Sequence, residues 1–121
     1  MEIQQVPETM SQIYHRVLER DPDPQGLIWY GARLWRNEAN VKDVVKDIGL
    51  SPEYTEKFIS NKPTDEAVRT CYHHFLARDP DPEGLEGYQR VARVHGFKPV
   101  ITGLLESEEY TQKFGTDKVP S

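Results

Sequence analysis

The chain has 121 residues, a formal net charge of −5 and a single cysteine. That length predicts one compact domain, since two units of under 60 residues would each bury too little surface to stand alone. Net negative charge argues against nucleic acid as the main partner, because such binding draws on cationic contacts to phosphate. One cysteine excludes an internal disulfide. A hydrophobic fraction of 36% beside 29% charged residues is that of a soluble globular protein. No basic, apolar leader opens the chain and no apolar run reaches membrane-spanning length, so a cytoplasmic location is expected.

Residues 1–6 carry no periodic pattern and are expected to trail until Pro7. Met10, Ile13, Tyr14, Val17 and Leu18 then fall on one helical stripe, and Val68, Cys71, Tyr72, Phe75 and Leu76 repeat it. Cys71 on that stripe reads as a small core residue. After each stripe comes nearly the same octapeptide: Arg20-Asp21-Pro22-Asp23-Pro24-Gln25-Gly26-Leu27, and 58 positions later Arg78-Asp79-Pro80-Asp81-Pro82-Glu83-Gly84-Leu85. The prolines stop the arriving helix near the arginine. Asp23 before Pro24, and Asp81 before Pro82, then provide an N-cap carboxylate followed by proline at the first helical position. Each copy predicts a corner between two helices. The spacing Asp-x-Asp-x-Gln-Gly also resembles the opening of a calcium loop, but the twelfth position should be a bidentate Glu and is Ala32 in one copy and Arg90 in the other.

A second helix is expected from about Pro24 to Arg36, with Leu27, Tyr30 and Leu34 inward, matched by Leu85, Tyr88 and Ala92. The third carries Val41, Val44, Val45 and Ile48, matched by Phe97, Val100, Ile101 and Leu104. Gly49 can close the third helix. Ser51 and Ser107 are candidate N-caps of a fourth helix in each half, holding the aromatic pairs Tyr54/Phe58 and Tyr110/Phe114. Thr64 is the candidate cap where the second half begins. No segment alternates like a strand. The expected fold is therefore all-α: two tandem copies of a four-helix unit, residues 8–60 and 64–116, sharing one core within a single domain of residues 1–121.

No nucleotide loop or nucleophile elbow is present. His73 and His74 are adjacent, so they point about 100° apart on a helix and cannot chelate one ion. His15 and His73 are expected at the core edge beside the corner prolines. No metal, cofactor or catalytic residue is assigned, and no enzymatic activity is expected. The surface carries the remaining signal. Where the second half has Glu86, Gly87 and Arg93, the first has Ile28, Trp29 and Trp35. Ile28 and Trp35 are seven apart and share a face distinct from the core stripe. With Arg33 and Arg36 beside them they form a candidate partner-binding patch; the alternative is that they fill the seam between the halves. Arg90, Arg93, His95 and Lys98 form a local basic patch in the second half.

The second half resembles the C-terminal half of the phycobilisome linker polypeptide domain. The resemblance runs from Ala67 through Leu76-Ala77-Arg78 and His95-Gly96-Phe97 to Ser107-Glu108-Glu109-Tyr110, Phe114-Gly115 and Val119-Pro120. The first half, with Tyr14, the first corner, Trp29-Tyr30 and Ser51-Pro52-Glu53-Tyr54, is similar to a related short helical module of bacterial surface proteins. The resemblance implies an all-helical, non-enzymatic, pigment-free domain that docks in the cavity of a phycobiliprotein ring, phycocyanin or allophycocyanin, at the thylakoid surface. Reuse of the fold in a cyanophage virion or a surface layer is the alternative. Linkers of that family are typically basic, whereas this chain has a pI of about 5.3.

Overall fold

A computed structural model describes residues 1–121. It is all-helical, with eight helices: α1 Val6–Leu18, α2 Pro24–Trp35, α3 Val41–Gly49, α4 Pro52–Tyr54, α5 Thr64–Leu76, α6 Pro82–His95, α7 Lys98–Leu105 and α8 Glu108–Phe114. A π-helical turn, Thr55–Ile59, continues α4, and a 3₁₀ turn, Ile3–Gln5, precedes α1.

The two long apolar stripes lie at the centre. α1 packs on α2, α3 and α5, while α5 packs on α6, α7 and α8, and α3 meets α7 across the middle. Twenty-three buried residues from both halves form one continuous cluster, including Met10, Ile13, Val17, Val45, Val68, Phe75, Val100 and Leu105. Burying each of these aliphatic or aromatic side chains contributes roughly 1.5–3 kcal/mol. No helix is long and apolar enough to cross a membrane.

The proline corners turn the chain as expected, and side-chain bonds hold them. Leu18 ends α1 because Glu19 takes the left-handed conformation, φ 57°, and Ala77 does the same after α5, φ 58°. The Lys57 ammonium donates to the freed carbonyl of Leu18, and Lys113 donates to that of Leu76 at 3.0 Å. Arg20 then reaches from the first corner to Glu53 with two bonds of 2.7 and 2.8 Å. Arg78 grips Glu109 with the same two distances, 2.7 and 2.8 Å. Gly26 and Gly84 lie against the hydroxyls of Tyr14 and Tyr72, which an added Cβ would overlap unless the ring moved. Asp23 accepts from the Gly26 amide and caps α2; Asp81 holds the matching position without a side-chain hydrogen bond. His15 pairs with Asp21 and His73 with Asp79, all four exposed at the corners.

Four local expectations need correction. Residues 1–6 do not trail: Val6 is buried, Met1 packs on the core, and the terminal amine donates to the Leu34 carbonyl at the end of α2. Thr64 is the first residue of α5, and Pro63 occupies the cap position with no side-chain bond. Gly49 remains helical, and Leu50 is the cap. Its missing side chain serves packing, since an added Cβ would stand 2.7 Å from Phe75 Cζ. α2 ends at Trp35, one residue short of Arg36. The serine caps form as expected: Ser51 accepts from the Tyr54 amide and Ser107 from that of Tyr110.

Candidate protein-docking face

The outer side of α2 is apolar and cationic. Gly31 and Leu34 face the interior, so helical periodicity turns Ile28, Trp29, Ala32, Trp35 and Arg36 outward. Ile28 is 72% exposed, Trp29 57% and Trp35 48%. The alternative that these side chains fill the seam between the halves is thereby excluded. Arg33 lies over the Trp29 ring, its guanidinium carbon 3.5 Å from the centroid, and donates to the Trp29 carbonyl at 2.9 Å. The stack fixes both side chains before any partner arrives. Neither Arg33 nor Arg36 makes an ion pair, and α2 contains no carboxylate.

A groove of about 630 Å³ runs beside Ile28 and Trp29, walled by Tyr14, Tyr30 and Pro52. Two carboxylates, Asp23 and Glu53, also line it. Both are held by Arg20, whose guanidinium keeps the Glu53 carboxyl below its usual pKa. Burial pushes the Tyr14 phenol up to about 12. One guanidinium against two carboxylates leaves the groove with a net negative charge at neutral pH, and its apolar wall lies toward α2.

On α6 the matching surface is different in kind. Arg90 donates to Glu86 at 2.7 Å and Arg93 to Gln89 at 2.9 Å, each within its own helix. Gly87, at the position matching Trp29, has open space beside it. Val94 is the one large apolar side chain exposed there, and Lys98 and His95 are exposed at the α6–α7 junction. The structure therefore separates the candidate residues into two clusters: Ile28, Trp29, Arg33 and Trp35 on α2 with Arg36 at its C-cap, and Arg90, Arg93 and Lys98 at α6 and the start of α7.

Sequence reasoning missed a polar chain that runs from the buried seam out to an exposed carboxylate. His74, Tyr54 and Glu19 come from α5, α4 and the end of α1. The Tyr54 hydroxyl lies 2.7 Å from His74 Nδ1 and 3.7 Å from the Cys71 sulfur, and His74 Nε2 lies 2.8 Å from Glu19. The carboxylate can only accept, so Nε2 carries the proton and Nδ1 accepts from Tyr54. The adjacency of His73 and His74 marks two opposite environments, one at the exposed corner and one inside; nothing in the dipeptide says which is which. Burial lowers the His74 pKa against the pull of Glu19, and burial pushes the Cys71 thiol up to about 12. Such a thiol is not a nucleophile at neutral pH. No group of three or more His, Cys, Asp or Glu side chains is placed to hold a metal ion.

Comparison with known proteins gives this face its context. The family model described as Phycobilisome Linker polypeptide matches residues 1–121. A protein named Phycobiliprotein ApcE from Synechocystis sp. is 30% identical over 112 residues, covering 88% of this chain and 12% of that protein. The proteins of that name from Nostoc sp. and Galdieria sulphuraria are 28% and 30% identical over 116 and 112 residues, covering 92% and 88% of this chain and 10% and 13% of theirs. The chain thus spans about an eighth of the length of the curated relatives it matches.

Proposed function

The chain belongs to the phycobilisome linker polypeptide family, and from that premise we propose that it binds a ring of phycobiliprotein subunits, phycocyanin or allophycocyanin, and fixes the position of that ring by its folded surface alone. The family is structural and not enzymatic. The observation that carries the reading is the family match over the whole chain, together with relatives that are themselves named phycobiliproteins. Those relatives favour the phycobilisome over the virion or surface layer that the fold alone would also allow. Work in that assembly would place the chain at the cytoplasmic face of the thylakoid membrane, as a peripheral component.

The physical features support the same role. The Cys71 thiol is buried with its pKa at about 12 and His74 is enclosed by hydrogen bonds, so neither is placed to act as a nucleophile or base at neutral pH. A continuous core and two clamped corners make a rigid body, and rigidity suits a part that sets spacing. Net charge of −5 would repel an acidic ring at long range, so contact must be made through a local cationic or apolar surface. Co-sedimentation with purified phycocyanin and allophycocyanin, at low and moderate salt, tests the reading. Retention on at least one ring is expected; failure to bind either at both salt concentrations removes it.

A further inference from the structure

Resting on that linker reading, we infer that the partner is held by one face only, the outer strip of α2, and that the surface it meets is anionic around an apolar projection that enters the neighbouring groove. The two halves of the chain share their corner geometry down to matched pairs: Arg20–Glu53 with Arg78–Glu109, His15–Asp21 with His73–Asp79, and Tyr14–Gly26 with Tyr72–Gly84. Their outward strips are not matched. Ile28, Trp29 and Trp35 stand at positions where α6 has Glu86, Gly87 and Arg93. A surface that presents two tryptophans and an isoleucine to water, in a chain with ample polar residues for the job on α6, is shaped for cover.

The chemistry of the cover follows from what surrounds the apolar groups. Arg33 and Arg36 have no carboxylate of this chain within ion-pair distance and no acidic neighbour on α2, although the chain as a whole is acidic. A partner carboxylate beside them would meet unneutralised guanidiniums. Arg33 is already stacked on Trp29 and bonded to its carbonyl, so little side-chain freedom is lost on docking. The groove beside Ile28 and Trp29, about 630 Å³, admits one or two apolar side chains of the partner. On α6 Arg90 is paired with Glu86, and the cations there flank a single exposed large apolar side chain, Val94, so they lack an exposed aromatic anchor beside a groove. A single adhesive face on an otherwise paired framework gives one partner per face and a fixed polarity.

The test is titration of the full chain against phycocyanin and allophycocyanin rings, comparing wild type with Trp29→Ala, Ile28→Glu, Arg33→Glu and, on α6, Val94→Ala. Trp29→Ala and Ile28→Glu are each expected to weaken binding about tenfold or more, as truncating an interface anchor does. Arg33→Glu should weaken it most at low salt, where charge is least screened, and Val94→Ala should bind as wild type. Helical circular dichroism should be unchanged throughout, since all four side chains are on the surface. Wild-type affinity in all three α2 variants, or equal loss in Val94→Ala, overturns the single-face inference while leaving the linker reading intact. Absence of binding by the wild-type chain overturns the linker reading and this inference with it.

Discussion

His74 Nδ1 lies 2.7 Å from the Tyr54 hydroxyl, and that bond, with Nε2 on Glu19 at 2.8 Å, joins three helical segments across the seam of the molecule. In the neutral imidazole Nε2 donates to Glu19 and Nδ1 accepts from Tyr54. Protonation makes Nδ1 a donor, so the Tyr54 hydroxyl must turn its proton toward the Cys71 sulfur, 3.7 Å away. Glu19, Arg16 and His73 are the charged or titratable groups that act on the ring from outside this pair.

Stability should therefore fall with acid in a defined window. Burial holds the His74 pKa below its usual 6.5, so the unfolded chain takes up the proton first as pH drops. The unfolded state binds more protons there, and stability rises with pH. The contribution of His74 is complete above pH 6.5 and is lost as pH falls from 6.5 through the lowered folded value. Urea midpoints measured between pH 7.5 and 5 are expected to decrease for wild type and to be flatter for His74→Gln. An equal slope in both would assign the acid sensitivity to another group.

A second acid step should appear lower, from the corner clamp. Arg78 and Lys113 both hold the Glu109 carboxylate and bring its pKa down to about 2 from 4.5. A carboxyl with a depressed folded pKa stabilises fully above its unfolded value, so this contribution is present above pH 4.5 and is lost as pH falls toward 2. Because the side chains are about a third exposed, solvent screens the pair. Replacing the fork by a point charge in Arg78→Lys is expected to destabilise by about 1 kcal/mol. Thermal melts at pH 7 and pH 3 would check it, the difference from wild type shrinking at the lower pH.

How far the sequence carried this structure depends on whether a residue acts through its neighbours in the chain or through remote ones. The proline corners, the Asp23, Ser51 and Ser107 caps and the Tyr110/Phe114 pair are local, and each forms as its spacing predicts. The apolar strip of α2 was visible because Ile28, Trp29 and Trp35 sit off the core stripe, and the structure leaves them exposed. The packing of residues 1–6 is hidden from the sequence because Val6 lies against Gly31, a contact with no periodic trace. Arg20 and Glu53 are 33 residues apart, and no local rule connects them. The Tyr54–His74 bond is hidden for the same reason, since a histidine beside another histidine gives no sign of which one turns inward.

The tight approach of glycine to tyrosine at each corner gives a further expectation. A Cβ at Gly26 would overlap the Tyr14 hydroxyl and stand 3.0 Å from its Cζ. Gly26→Ala should gain up to about 1 kcal/mol of helix propensity and lose about 1–3 kcal/mol to overpacking. Net destabilisation is expected, and adding Tyr14→Phe, which removes the overlapping oxygen, should recover part of it in a double-mutant cycle. Strict additivity of the two changes would mean that the corner accommodates the methyl elsewhere.

The two buried tyrosines of the fourth and eighth helices should respond in opposite ways to loss of their hydroxyls. Tyr54 and Tyr110 each sit on a serine-capped turn beside a phenylalanine, and both are fully buried. Their hydroxyls differ: that of Tyr54 serves His74, whereas that of Tyr110 has no hydrogen-bond partner. Tyr54→Phe leaves His74 Nδ1 buried and unpaired, which costs about 1–3 kcal/mol. Tyr110→Phe removes a buried oxygen that makes no hydrogen bond in the protein, so the change should be neutral or stabilising by up to about 1 kcal/mol. Equilibrium urea unfolding of the two single variants measures both. Equal destabilisation would mean that the Tyr110 hydroxyl is satisfied in solution, and that the asymmetry at the seam does not reside in these two oxygens.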